Sequence, residues 1–415
     1  MNEGKKQLTF IDLFAGAGGL SEGFIRAGYK PVAHVEKDIN ACLTLKTRLA
    51  YHFLKSRNEF QTYVAYLKVL ITRSELYELI PDEIINSVIN ETISDETLPD
   101  IFTRIDNLLN KESVDLIIGG PPCQAYSVSG RSARGEKAKE DDRNYLYKYY
   151  GEFLKKYKPK IFVFENVPGL YTAGDGKYYN DMISFFDEIG YKTEDKILDA
   201  SDFGVLQRRK RVIIIGWQKE FSFSYPVFEK TTNDWTIANL FSDLPALKAG
   251  QSLLTASYVT EINECLLQSE IRNGLTFVTQ HITRPHNKKD LKIYKLAIKT
   301  LEQKGKCLKN DEIPERIRTQ KNFVSFLDRF KVVRSDSVSH TMIAHIAKDG
   351  HHFIHPDINQ LRSISVREAA RIQSFPDDYF FEGSRTSAFT QIGNAVPPLL
   401  SVALANGIKK HLFDL

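Results

Sequence analysis

Three groups of side chains in this 415-residue chain are typed and spaced for covalent chemistry. The first is a thiol. In "IIGGPPCQAYS", residues 117–127, an apolar run ends in two prolines with Cys123 directly behind them. The prolines restrict the backbone and so hold the thiol at one place. The second group is Glu165 with Asn166 in "FENV", at the end of the next strand-like run. The third is "QRRKR", which sets Gln207, Arg209 and Arg211 at alternating positions; a strand would put these on one face. A thiolate that adds to an electron-poor ring needs protonation or hydrogen bonding elsewhere on that ring, so that negative charge does not accumulate. A carboxyl and a guanidinium supply this, and a nearby arginine also lowers a thiol pKa. Taken singly these features are ordinary: a strand-end cysteine is usually a small core residue, and a basic hairpin is usually solvated. Here the basic run leads into the apolar "VIIIGW", which pulls one of its faces inward.

A fourth group would hold a nucleoside. In "DLFAGAGGLSEGF", Gly16, Gly18 and Gly19 follow a strand and open a helix, where glycines let the backbone approach a ligand closely. Glu36 falls 18 residues after Gly18, at the end of the following strand, where an acid can bind ribose hydroxyls. The turn alone leaves a dinucleotide and S-adenosyl-L-methionine both open.

The elements needed to position these groups alternate between strand and helix. Strand-like runs lie at 8–14, 31–36, 114–119, 160–166, 192–199 and 211–217. Helical stretches lie at 20–28, 38–55 (with Asp38 as cap), 144–157 and 178–189. Such alternation predicts an α/β fold, a mostly parallel sheet covered on both faces. Only "SDFGVLQRRK" separates the last two strands, too little for a crossover helix, so these two should pair antiparallel. The polar stretch 56–100 reads as a helical excursion packed on the sheet's edge. After Trp217 the alternation stops, and it resumes near 361 with "SVREAARIQSF", read as an amphipathic helix capped by Ser365, and a final helix from Pro397. The division is therefore 1–217, a smaller domain over 218–360, and a return over 361–415.

Charge is unevenly spread. The net charge is +4, yet residues 284–334 hold 15 Lys and Arg against 6 Asp and Glu. That segment carries the positive field of the chain. Four cysteines without a CxxC pair argue against structural zinc and disulfides and for a reducing cytoplasm. The longest apolar runs are too short to cross a bilayer, and the N-terminus lacks a signal peptide's apolar core. His351, His352 and His355 in "DGHHFIHPD" lack ligand spacing, and no metal is expected; a hairpin returning to the first domain is.

The ordered series "DLFAGAGGL", "VEKD", "GGPPCQAYS", "FENV", "QRRKR", "SVREAARIQSFPD" and "QIGNAVPP" resembles the DNA (cytosine-5)-methyltransferases of bacterial restriction–modification systems. The resemblance covers 8–217 and 361–405. It implies an S-adenosylmethionine-dependent methyltransferase fold with a smaller target recognition domain over 218–360. It gives Cys123 the role of nucleophile toward cytosine C6, Glu165 that of contact to N3 and the exocyclic amine, and Arg211 and Arg209 that of holding the ring's O2 side and the loop around the thiol. For the cofactor it implicates Phe14, Gly16, Gly18, Gly19, Leu20, Glu36, Pro121, Asn394 and Val396. The adenine-reading acid is Asp100 in "LPDIF", with Asp106 as the alternative.

The polar stretch after Cys123 becomes a loop closing over a base flipped out of the duplex, because a ring carbon cannot be reached inside the stack. Gln124, Ser127, Arg131 and Arg134 around this stretch, and Gln207 in "QRRKR", are the implied DNA-contacting residues. The implied partners are double-stranded DNA and a cognate restriction endonuclease, with no membrane and a monomer on DNA. Rival readings are a tRNA cytosine-5 methyltransferase, a catalytically dead DNA-binding relative and a nicotinamide-dependent oxidoreductase. The basic segment favours duplex DNA; the intact Cys123, Glu165 and Arg211 set argues against a dead relative; the missing crossover argues against the oxidoreductase.

Overall fold

The computed structural model describes residues 7–122, 145–320 and 327–412. Seven strands form the main sheet: β1 (Thr9–Leu13), β2 (Lys30–Glu36), β3 (Val88–Asn90), β4 (Leu116–Gly119), β5 (Ile161–Asn166), β6 (Tyr191–Asp199) and β7 (Lys210–Gln218). Their order is β3-β2-β1-β4-β5-β7-β6. All neighbouring pairs are parallel except those of β7, which runs antiparallel to both β5 and β6. The expected α/β methyltransferase fold and its antiparallel last strand are therefore present. Burial explains the apolar runs: β1 is buried throughout, as are Val212 to Trp217 of β7.

The helices before the sheet's turning point are α1 (Gly19–Arg26), α2 (Ile39–Ser56), α3 (Phe60–Leu67), α4 (Arg73–Glu78), α5 (Asp82–Asn86), α6 (Leu98–Leu109), α7 (Leu146–Tyr157) and α8 (Lys177–Glu188). Asp38 caps α2 as expected, its carboxylate accepting from the Ala41 N–H at 2.9 Å. The 56–100 stretch differs from expectation in two ways. It contains the edge strand β3, too short to show a period, and the first turn of α6. Its helices also do more than lie on the sheet's edge. Tyr63, Leu67, Leu76 and Ile80 pack with Tyr51 and Leu54 of α2 and with Leu275 and Phe277.

Beyond β7 come α9 (Ile237–Phe241), β8 (Ser252–Ser257), α10 (Glu264–Gln268), β9 (Phe277–Ile282) and α11 (Lys288–Lys304), with β8 and β9 forming a two-stranded antiparallel sheet. The chain closes with α12 (Val366–Ile372), α13 (Arg385–Asn394) and α14 (Pro398–Leu412). Ile237, Leu240 and Cys265 share an apolar cluster with Ile364, Val366, Phe375 and Phe389, so the chain on either side of residue 360 is packed into one core. The apolar stretch Arg385–Leu412 is long enough to span a membrane, but it is mostly buried and is broken between α13 and α14, where Ala395 is extended. The final helix returns to the sheet: a Cβ on Gly23 of α1 would lie 2.4 Å from Ser401 of α14.

Helix α12 corrects one expectation. Ser365 does cap it, in a reciprocal box with Glu368, but the helix is not amphipathic: every residue from Val366 to Ile372 is buried. Its charged residues are paired inside the protein. Arg371 donates to Asp377 at 2.9 and 2.6 Å and to Asp243, which precedes β8, at 2.6 Å. Arg362 grips Glu368 through two bonds of 2.7 Å. Burying such charges is tolerated only while each is matched. Arg371→Leu strands Asp243 and Asp377 without their main counter-charge and should cost about 3–5 kcal/mol. Chemical denaturation of the purified variant reads this; wild-type stability would show that the pair contributes nothing.

Candidate functional site

The carboxyl ends of β4, β5 and β1 meet the amino end of β7, and Glu165, Asn166 and Arg211 gather at this crevice. At the end of β5, Glu165 Oε1 lies 2.7 Å from Arg211 Nε on β7, with both side chains mostly but not fully buried. The pairing follows from register: β5 and β7 are antiparallel with Glu165 opposite Ile213 and Asn166 opposite Val212, so the start of β7 reaches the end of β5. Beyond β4, Gly120 is needed for space, since a Cβ there would lie 2.6 Å from Glu165 Oε2. Gly119 is likewise pressed against β1, where a Cβ would lie 2.4 Å from the Leu13 carbonyl oxygen. Asn166 is buried; its side-chain carbonyl accepts from the Val167 N–H at 2.9 Å, and its amide N–H donates to the Pro121 carbonyl at 3.5 Å. The "ENV" asparagine therefore steadies the proline pair that leads to the thiol. Cys123 itself, with Gln124, Ser127, Arg131 and Arg134, lies outside the described residues.

Two assignments in "QRRKR" change. Strand β7 starts at Lys210, so Gln207, Arg209 and Arg211 do not share one strand face. Gln207 is fully buried, its amide N–H donating to Gln373 at 2.7 Å and its carbonyl accepting from the Met342 N–H. With both ends of the amide engaged, it is an internal brace and not a DNA-facing group. Arg209 is also buried; it donates to the carbonyls of Met342, Gly393 and, at 2.9 Å, Ala395. It thus positions "QIGNAVPP". Arg211, the one of the three that lies on β7, pairs with Glu165 at the crevice.

The glycine turn sits between β1 and α1. Phe14, Gly16 and Gly18 all adopt left-handed backbone, with φ of 57°, 55° and 79°. For Phe14 this is a strained conformation of the kind found at ligand clamps. Glu36, at the end of β2, reaches across: its carboxylate accepts from the Gly16 N–H at 2.9 Å and the Asp38 N–H at 2.8 Å. Nothing lies within 4 Å of a Cβ position on Gly16, so open space faces the turn there. Gly19, by contrast, is packed against the Val396 carbonyl, 2.1 Å from a Cβ position, and Leu20 and Val396 are buried nearby. Asn394 is exposed at the end of α13. Glycines, a left-handed clamp and an acid at the next strand end fit the nucleoside and amino-acid parts of S-adenosylmethionine.

The two acids expected to read adenine are placed differently. Asp106 is in the last turn of α6, which leads to the amino end of β4, the opposite end of the sheet; its carboxylate pairs with Lys156 at 2.8 Å and accepts from Tyr157. Asp100 lies in the first turn of α6, at the right end, but its side chain is 65% exposed with Arg104 3.9 Å away. The carboxyl end of β3 instead presents Glu91, whose N–H donates to the Glu36 carbonyl at 3.1 Å. A three-residue strand has no period to read, which hid this acid in the sequence. Asp12, which opens the "DLFAGAGG" motif, is a second acid that spacing did not single out. It is fully buried; burial pushes its carboxyl up to about 8, a hydrogen bond from Ser21 opposes this, and the charge of Glu36 adds to it.

The basic segment has a definite shape. Lys288, Lys292, Lys295 and Lys299 are exposed on one side of α11, while Ile293, Tyr294, Ala297 and Ile298 face its core. None of these four lysines has a carboxylate partner among the described residues. The three histidines of "DGHHFIHPD" do not converge. The Tyr294 hydroxyl lies 2.8 Å from His351 Nδ1, and His355 stacks on Phe241 at 5.8 Å and faces Glu368. The return segment does form a hairpin contact, with Ile354 bridging Ser363 antiparallel.

Comparison with known proteins identifies the family. The profile of the C-5 cytosine-specific DNA methylases matches residues 8–64 and 84–410. The type II methyltransferase M.Bpa9945I of Bacillus paralicheniformis is 46% identical over 97% of this chain and 98% of its own. M.DdeI of Desulfomicrobium norvegicum, also a type II methyltransferase, is 33% identical over 97% and 88%. In fold, the chain is similar to the Entamoeba histolytica methyltransferase EhMeth, with a TM-score of 0.54 at 15% identity over 98% of this chain and 99% of that one. The chain belongs to the C-5 cytosine-specific DNA methylases and is a DNA cytosine-5 methyltransferase.

Proposed function

We propose that the enzyme transfers a methyl group from S-adenosylmethionine to C5 of a cytosine flipped out of a specific double-stranded DNA sequence, through a transient covalent bond to Cys123. The observation that carries this reading is the 2.7 Å Glu165–Arg211 pair beside the Asn166-braced prolines that precede Cys123. Bound S-adenosylmethionine supplies an electrophilic methyl group. The Cys123 thiolate adds to C6, and C5 gains the electron density to take that methyl. Removal of the C5 proton then re-forms the C5–C6 double bond and expels the thiolate. Glu165 steadies the ring at N3 and the exocyclic amine, so that the charge produced by addition does not build up on the base. Arg211 orients Glu165 and faces the O2 side. Gly16, Gly18, Gly19 and Glu36 hold the cofactor's amino-acid and ribose parts, and Glu91 replaces Asp100 as the acid nearest the adenine side.

Residues 218–360 read the DNA sequence, and Gln124, Ser127, Arg131 and Arg134 contact DNA around the flipped base. The type II relatives support a restriction–modification role; the proposal adds a cytoplasmic enzyme that acts as a monomer beside a cognate endonuclease. The α11 lysines supply contacts to phosphates, which position a protein on DNA without carrying sequence information.

Methylation of unmodified genomic DNA, mapped by deamination sequencing, should place 5-methylcytosine in one short sequence context; modification of tRNA with DNA untouched would overturn the reading. Cys123→Ser should abolish turnover and any denaturation-resistant protein–DNA species while still binding cofactor. Gly120→Ala should displace the Glu165 carboxylate and lower kcat by at least about tenfold, as loss of a well-placed electrostatic contact does; unchanged kcat would separate Glu165 from the chemistry. Replacing Lys288, Lys292, Lys295 and Lys299 by Gln should reduce the slope of log K against log salt for DNA binding by roughly 3 to 4 units. An unaltered slope would remove α11 from the DNA interface.

A further inference from the structure

The turn Phe375–Tyr379 touches both the glycine turn and the segment assigned to DNA. Tyr379 is buried, and its hydroxyl donates to the carbonyl of Ala17, between Gly16 and Gly18. A Cβ on Gly18 would lie 3.0 Å from the same hydroxyl. Arg48 covers the ring, its guanidinium carbon 4.7 Å from the centroid, and is itself fixed by Glu22 of α1 and by Asp378, both at 2.8 Å. At its other end, the Tyr379 backbone carbonyl accepts from Arg367 at 3.0 Å, and Arg367 also donates to Thr279 of β9 at 2.7 Å. The three left-handed residues Phe14, Gly16 and Gly18 form a turn that needs outside support to keep its shape. Among the described residues, Tyr379 is the side chain that grips a backbone carbonyl at the middle of it.

We propose that Tyr379 is a positioning residue for the cofactor: its hydroxyl holds the Ala17 carbonyl and keeps the glycine turn in the shape that receives S-adenosylmethionine. The inference rests on the methyl-donor assignment above and goes beyond it by naming a residue that does not itself meet the cofactor. Removing the hydroxyl leaves the Ala17 carbonyl without its buried partner, and the turn relaxes before cofactor arrives. Binding then includes the cost of re-forming the turn, while the bound geometry and the chemical step are little altered.

Tyr63 provides a matched control. It is equally buried, and its hydroxyl donates to the Asp378 backbone carbonyl at 2.8 Å, on the same turn but away from the glycines. Calorimetric titration with S-adenosylhomocysteine should show Tyr379→Phe binding roughly five- to tenfold more weakly than wild type, the loss expected for one buried hydrogen bond. Its KM for S-adenosylmethionine should rise in step, with kcat at saturating cofactor within about twofold of wild type. Tyr63→Phe should lose comparable thermal stability and keep wild-type affinity. Unchanged affinity in Tyr379→Phe, or equal weakening in both variants, would overturn the proposal. A folded wild type that binds neither S-adenosylhomocysteine nor S-adenosylmethionine would instead overturn the donor assignment on which it rests.

Discussion

The antiparallel insertion of β7 between β5 and β6 is the constraint on which the reactive corner depends. A strand entering this position by a parallel crossover would begin at the far edge of the sheet, and Arg211 would be a strand length away from Glu165. Running the other way, β7 starts where β5 ends, and the register brings guanidinium and carboxylate to 2.7 Å. The same reversal places the segment just before β7 against the C-terminal part of the chain. Gln207 and Arg209 enter that contact and bind Gln373, Met342 and Ala395. One topological choice therefore builds the Glu165–Arg211 pair and the brace behind it.

Buried arginines do the second part of the work. Arg371, Arg367, Arg362 and Arg48 are all nearly or fully inaccessible, and each joins elements far apart in the chain. Arg371 ties α12 to Asp243, Arg367 ties it to Thr279, and Arg48 ties α2 to Glu22 and Asp378. Apolar packing could supply comparable stability at these positions. What the ionic contacts add is direction, because a forked guanidinium accepts only a narrow set of carboxylate and carbonyl placements. That suits an enzyme whose glycine turn and the segment proposed to read DNA must be held in register across separate stretches of sequence.

Much of this was legible in the residues. Strand–helix alternation showed the parallel sheet, and the ten residues between β6 and β7 were too few for a crossover, which revealed the reversal. The glycine turn with Glu36, and Glu165 with Arg211, were visible from type and spacing. Three features were not. Strand β3 has only three residues, so its periodicity carried no signal, and the acids legible nearby were Asp100 and Asp106 in the helix that follows. In "QRRKR", alternation suggested a common strand face, but the chain is not yet a strand at Gln207 and Arg209, and tertiary partners draw both inward. In "SVREAARI", three charges in eight residues suggested a solvated face; Asp243 and Asp377 opposite Arg371, and Arg362 opposite Glu368, make their burial tolerable.

These failures share a cause that bears on how the enzyme works. Local pattern reads the side of a residue that faces its own element, whereas Gln207, Arg209, Arg367 and Arg371 are defined by partners 6 to 186 residues away. Such residues cluster where the methyl-transfer half of the chain meets the half assigned to DNA, and few of them would touch either ligand. The groups that would meet substrate, by contrast, sit at strand ends and in short rigid turns, where the backbone alone sets their direction. Catalytic identity is thus written locally, in motifs that can be read one at a time. The alignment of those motifs is written in long-range pairs of charges and carbonyls, and a substitution there would disturb geometry without removing any group that takes part in the chemistry.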